Sequence, residues 1–68
     1  MKCLKKDKDK ADLSFSMDEL LIINAALNEV CNGIDVFEFD TRIGFSKEQV
    51  SLFLEAINKL IDELEKLN

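Results

Sequence analysis

Apolar residues in the last third of the chain fall at Val50, Phe53, Ile57, Leu60, Leu64 and Leu67, with gaps that alternate between three and four. That is the spacing of a helix packed along another helix. Leu54, Ala56 and Ile61 widen the stripe, and Ser51, Glu55, Asn58, Lys59, Asp62, Glu63 and Lys66 occupy the opposite side. The pattern predicts a long amphipathic helix over residues 47–67. An earlier apolar run divides differently. Leu20, Ile23, Leu27, Val30 and Cys31 make one stripe with Ala26 at its edge, whereas Leu21, Ile22 and Ala25 lie nearer Asp18, Asn28, Glu29 and Asn32. A simple two-helix hairpin would leave that second patch wet, so it is expected to be covered by a second copy of the chain.

Both helices begin with the same grammar. In Phe15-Ser16-Met17-Asp18-Glu19-Leu20 and again in Phe45-Ser46-Lys47-Glu48-Gln49-Val50, a serine can cap and Glu19 or Gln49 can complete the capping box. Each phenylalanine can staple onto the apolar residue five positions on, and Asp18, Glu19 and Glu48 favour the positive end of the helix dipole. The first helix is expected over residues 17–32, closed by Gly33 in the left-handed conformation. Ala26, Leu27 and Asn28 match Ala56, Ile57 and Asn58 at the same offset, but capping alone would produce most of this repetition.

The segment from Ile34 to Gly44 carries Ile34, Val36, Phe37, Phe39 and Ile43, too many apolar side chains for a freely solvated loop. A short turn or 3₁₀ piece folded back on the helices is expected, because a lone strand has no partner here. Arg42 lies within loop reach of Glu38 and Asp40 and is expected in a structural ion pair. The alternative is that Asp35, Glu38, Asp40, Thr41 and Arg42 form a recognition edge.

Charge separates the chain into two parts. Residues 1–12 hold five lysines against three aspartates, a net +2, and the remainder holds eleven acids against four bases, a net −7. With Leu4 and Ala11 almost its only apolar interruptions, the segment 1–13 is expected to be a disordered, solvated arm preceding a helical domain over 14–68. Its interleaved aspartates, and the lack of arginine or aromatic residues beside the lysines, speak against direct nucleic-acid binding. Cys3 and Cys31 stand in dissimilar settings, which favours free thiols and a cytoplasmic protein; no apolar run is long enough for a bilayer. With no proline and two glycines, the composition favours helix.

These readings combine into an all-α fold, an antiparallel helical hairpin with a structured apolar loop. Sixty-eight residues give a thin core, so pairing into a four-helix arrangement is the expected remedy. The interface is expected to involve Leu21, Ile22, Asn24, Ala25, Asn28, Phe53, Leu60 and Leu64, with Asn24 and Asn28 hydrogen-bonding across helices to fix register. Cys31 is read as a small core residue, since the helix C-terminus opposes a thiolate.

The run Ala26-Leu27-Asn28-Glu29-Val30-Cys31-Asn32-Gly33, followed by Phe37-Glu38-Phe39 and Thr41-Arg42-Ile43-Gly44 ahead of a capped helix, resembles a family of small uncharacterised bacterial proteins over residues 16–65. The resemblance implies a bacterial or phage origin and importance for the Asn-Glu-Val-Cys-Asn-Gly helix end and the Thr-Arg-x-Gly turn. It implies no activity.

Chemistry finds little purchase in the sequence. Histidine is absent, the two cysteines do not make a zinc site, and no calcium loop, phosphate-cradling glycine loop or nucleophile elbow is present. A non-enzymatic interaction or scaffold protein without cofactors is expected, acting as a homodimer with another protein as partner and without a membrane role. The alternative is an acidic inhibitor of the immunity, antitoxin or anti-defence kind, whose −7 body masks a basic nucleic-acid-binding surface on its target.

Overall fold

A computed structural model describes residues 1–67. Two strands, β1 (Lys2–Lys6) and β2 (Ala11–Ser14), precede α1 (Met17–Asn28), a five-residue π turn (Glu29–Gly33), the one-turn α2 (Phe39–Ile43) and the long α3 (Lys47–Glu65). This is a small α+β fold, which corrects the all-α, helical-hairpin expectation. The residues read as a solvated arm are the two paired strands.

The hairpin forms because its polar residues are distributed as a turn needs them. Asp7 to Lys10 make the connection, in which the Asp7 N–H donates to the Lys10 carbonyl at 2.8 Å and the Asp7 carboxylate accepts from the Lys8 N–H at 2.7 Å. Aspartate favours turns through such local bonds. Cys3 pairs with Leu13, Lys5 with Asp12 and Lys6 with Ala11, and the register shifts at Leu4, between Cys3 and Lys5. The Lys5–Asp12 pairing puts opposite charges directly across the ladder, a favourable arrangement. Strand formation here follows from turn chemistry and cross-strand charge, terms that a count of buried apolar groups leaves out. Every residue of both strands is nevertheless exposed.

α1 and α3 start as their sequences dictate. The Ser16 hydroxyl accepts from the Glu19 N–H at 3.2 Å while the Glu19 carboxylate accepts from the Ser16 N–H at 2.9 Å. Ser46 and Gln49 repeat the box at 3.1 and 2.9 Å. The end of α1 differs from expectation. It widens into the π turn, in which the Ile34 N–H donates to the Glu29 carbonyl, five residues back, at 2.9 Å. Gly33 lies within that turn and is not left-handed. The left-handed glycine is Gly44 (φ 90°), which closes α2 by donating its N–H to the Asp40 carbonyl at 2.8 Å.

The core is small. Leu20 is 1% exposed and packs with Ile57 and Ile61, bordered by Phe15, Met17, Ile23, Leu27 and Leu64. Cys31 and Leu54 are the other buried apolar residues. α3 thus turns Leu54, Ile57 and Ile61 inward, while Phe53 and Leu60 of the same heptad stripe face outward.

Three substitutions test this account. Replacing Gly44 by alanine forces a side chain into left-handed backbone and is expected to cost about 1–2 kcal/mol in urea unfolding. Gly33→Ala is expected within about 0.5 kcal/mol of wild type, because the new Cβ would meet only the mobile end of the Glu29 side chain. Leu20→Ala is expected to lose about 2–5 kcal/mol, a large share of the roughly 3–10 kcal/mol available to a chain of this length.

Candidate functional site

Three exposed surfaces bring together the residues singled out from the sequence. The first is the loop before α3. Asp35, Glu38, Asp40, Thr41 and Arg42 are all exposed, and their side chains make no hydrogen bond or ion pair among the described residues. Arg42 therefore departs from the expected structural ion pair, since among the described residues the ion pair present joins the Met1 ammonium to Glu19. The loop folds back only in part: Val36 and Phe39 are half-buried, whereas Ile34, Ile43 and above all Phe37, at 74%, are exposed. Where a short turn or 3₁₀ piece is expected, the loop forms the one-turn α2. Glu38 precedes it in the left-handed region (φ 52°, ψ 53°), a conformation that costs a non-glycine residue on the order of 1 kcal/mol and marks a locally constrained chain reversal.

The second surface is the outer side of α1. Leu21, Ile22 and Ala25 are exposed, Ile22 to 68%. The asparagines beside them are engaged inside the chain. Asn24 donates its side-chain N–H to the side-chain oxygen of Asn58, joining α1 to α3, and the Asn28 side-chain oxygen accepts from the Asn32 side-chain N–H one turn on at 3.0 Å. The register-setting amide pair is thus intramolecular and pairs Asn24 with a residue that the sequence reading had placed on the wet face of α3. Leu64 is half-buried against the core cluster.

The third surface was not legible without the hairpin. An open groove of about 420 Å³ runs between β2 and α3, lined by Ala11, Leu13, Phe15, Ile23, Phe53 and Leu60 among others. Phe53, which is 56% exposed, continues it into an apolar depression with Phe45, Gln49 and Val50. Leu13 was available to sequence reading as an apolar residue beside a helix start, but only strand pairing sets it opposite the α3 ridge.

Glu19 holds this arrangement together. One of its carboxylate oxygens closes the α1 capping box, and the other receives the Met1 ammonium, tying the start of β1 to the start of α1. The carboxyl is held below its ordinary value of 4.5, first by the bond from the chain's ammonium and then by the Ser16 N–H, which together outweigh partial desolvation. Among the described residues no three His, Cys, Asp or Glu side chains converge to hold a metal ion, and no helix is long and apolar enough to cross a membrane. The chain matches no family model, no curated protein and no solved structure.

Because folding lowers the Glu19 carboxyl, its contribution to stability is present above the unfolded value of 4.5 and is lost as pH falls through the lower folded value. An NMR titration is expected to place the Glu19 midpoint below those of the other glutamates, and Glu19→Gln is expected to remove that share of the acid sensitivity while leaving the α1 cap, whose amide oxygen still accepts from Ser16. A Glu19 midpoint at or above 4.5 would contradict the clasp.

Proposed function

We propose that this chain is a non-catalytic protein–protein interaction module that works as a homodimer and presents the 34–44 loop to a protein partner. The observation that supports the reading is the amount of surface left uncovered. A compact monomer of 7.8 kDa exposes roughly 4,400 Å². This chain exposes 5698 Å², an excess of about 1,300 Å². Much of the exposed area is apolar and large: Leu21, Ile22, Leu52, Phe53 and Leu60 on the helices, and Ile34 and Phe37 in the loop. An obligate dimer buries about 1,000–2,500 Å² per partner, which spans this excess.

The loop suits recognition because its polar side chains are uncommitted among the described residues, while left-handed backbone at Glu38 and Gly44 brackets its α2 half. An exposed Phe37, with Asp35 and Glu38 near it in sequence and Arg42 in the same loop, offers an aromatic anchor in a charged segment, the combination that concentrates energy in protein interfaces. Self-association would leave that loop available.

Sedimentation equilibrium across micromolar concentrations is expected to give twice the 7.8 kDa chain mass. A melting temperature that rises with concentration is expected alongside it, because association shifts the folding equilibrium by mass action. A monomer mass with a cooperative melt that dilution leaves unchanged would refute the reading.

A further inference from the structure

The exposed apolar surfaces are not equivalent, and their difference identifies which one a second copy covers. On α3, residues advance by about 100° each, so Leu54, Ile57 and Ile61 define an inward arc and Phe53 and Leu60 stand beside it on one flank. That flank is not a lone strip of helix. It lines a groove to which β2 contributes Leu13 and the buried core contributes Leu20 and Ile57. A ridge next to a matching groove is a self-complementary shape: the ridge of one chain can enter the groove of another while the second ridge enters the first groove. The outer side of α1, with Leu21 and Ile22, does not line this groove.

We infer that two copies associate about a two-fold axis through this groove, each setting its Phe53–Leu60 ridge between β2 and α3 of the other. Three observations select a second copy as the occupant. First, the surplus surface of about 1,300 Å² per chain corresponds to what a stable homodimer buries. Second, the charges match: the hairpin region carries a net +2 and the remainder a net −7, so a hairpin laid across a neighbour's helices meets opposite charge. Third, the hairpin is fully exposed on its own chain, and a two-stranded ribbon gains stability only from a further packing surface. The partner's α3 supplies one. The inference rests on the homodimer reading and assigns its interface.

The test is sedimentation equilibrium on the full-length chain and on Phe53→Asp, Leu60→Asp and Ile22→Asp. Phe53→Asp and Leu60→Asp are each expected to raise the dimer dissociation constant by at least about 30-fold, with helical circular dichroism retained, since both positions are solvent-exposed in the single chain. Ile22→Asp is expected to remain dimeric. Dissociation by Ile22→Asp with no effect of the other two would overturn the groove and leave the homodimer standing, and a monomeric wild-type chain would remove both.

A second measurement needs no substitution. Cys3 is an exposed free thiol on the hairpin and Cys31 is buried, so a nitroxide can be attached at Cys3 alone. Mixing such chains with isotope-labelled, nitroxide-free chains is expected to broaden amide signals of Phe53 and Leu60 across the interface. Broadening confined to the Leu21–Ala25 stretch would refute the arrangement.

Discussion

Leu20 closes against Ile57 and Ile61, and most of the remaining geometry follows from that contact being so narrow. From α1, Leu20 with Ile23 and Leu27 beside it covers only one side of α3. The apolar arc of α3 is wider than that, so turning Leu54, Ile57 and Ile61 inward necessarily turns Phe53 and Leu60 outward. A further helix on that flank would cover it. Here the residues that could do so form a lysine-bearing ribbon, and the ribbon stands beside the flank without covering it. Incomplete coverage is thus a consequence of this geometry, and the proposed association would use hydrophobic attraction to complete it.

Helix starts were legible in the sequence nearly to the residue, because a capping box is a local bargain between a serine, a side chain three residues on and two backbone N–H groups. Ser16 with Glu19 and Ser46 with Gln49 need nothing from the rest of the fold. Helix ends were less legible. Gly33 followed an apolar helical run and looked like a left-handed stop, yet the chain widened into a π turn and reserved the left-handed conformation for Glu38 and Gly44. The hairpin was missed for a different reason. Weighing residues 1–13 by hydrophobicity finds little to bury, and that is true of the structure, but strands are also stabilised by backbone pairing and by Asp7 at the turn. With the hairpin missed, the groove was missed too, since half of it is β2.

The heptad stripe illustrates the same lesson on α3. Val50, Phe53, Ile57, Leu60, Leu64 and Leu67 read as one seam, but the chain's own packing splits it: Ile57 is buried, Val50 and Leu64 are half-buried, and Phe53, Leu60 and Leu67 face solvent. Periodicity reports the mean direction of an apolar surface. It does not say how many neighbours share that surface. Asn24 and Asn58 sharpen the point, because one amide from each helix meets where α1 and α3 cross and fixes how the helices sit, leaving the outer patches free of register-setting groups.

The hairpin also limits what association can become. A ribbon of two strands has two unpaired edges, and flat exposed edges invite pairing with further strands. β1 counters this with the Leu4 irregularity, which breaks the hydrogen-bonding rhythm, and with Lys2, Lys5 and Lys6 along its short length. Strand-to-strand addition would bring like charges together on an edge whose spacing does not repeat. The five residues of β1 therefore discourage open-ended growth from that edge of the ribbon, which favours a closed, countable assembly over a polymer.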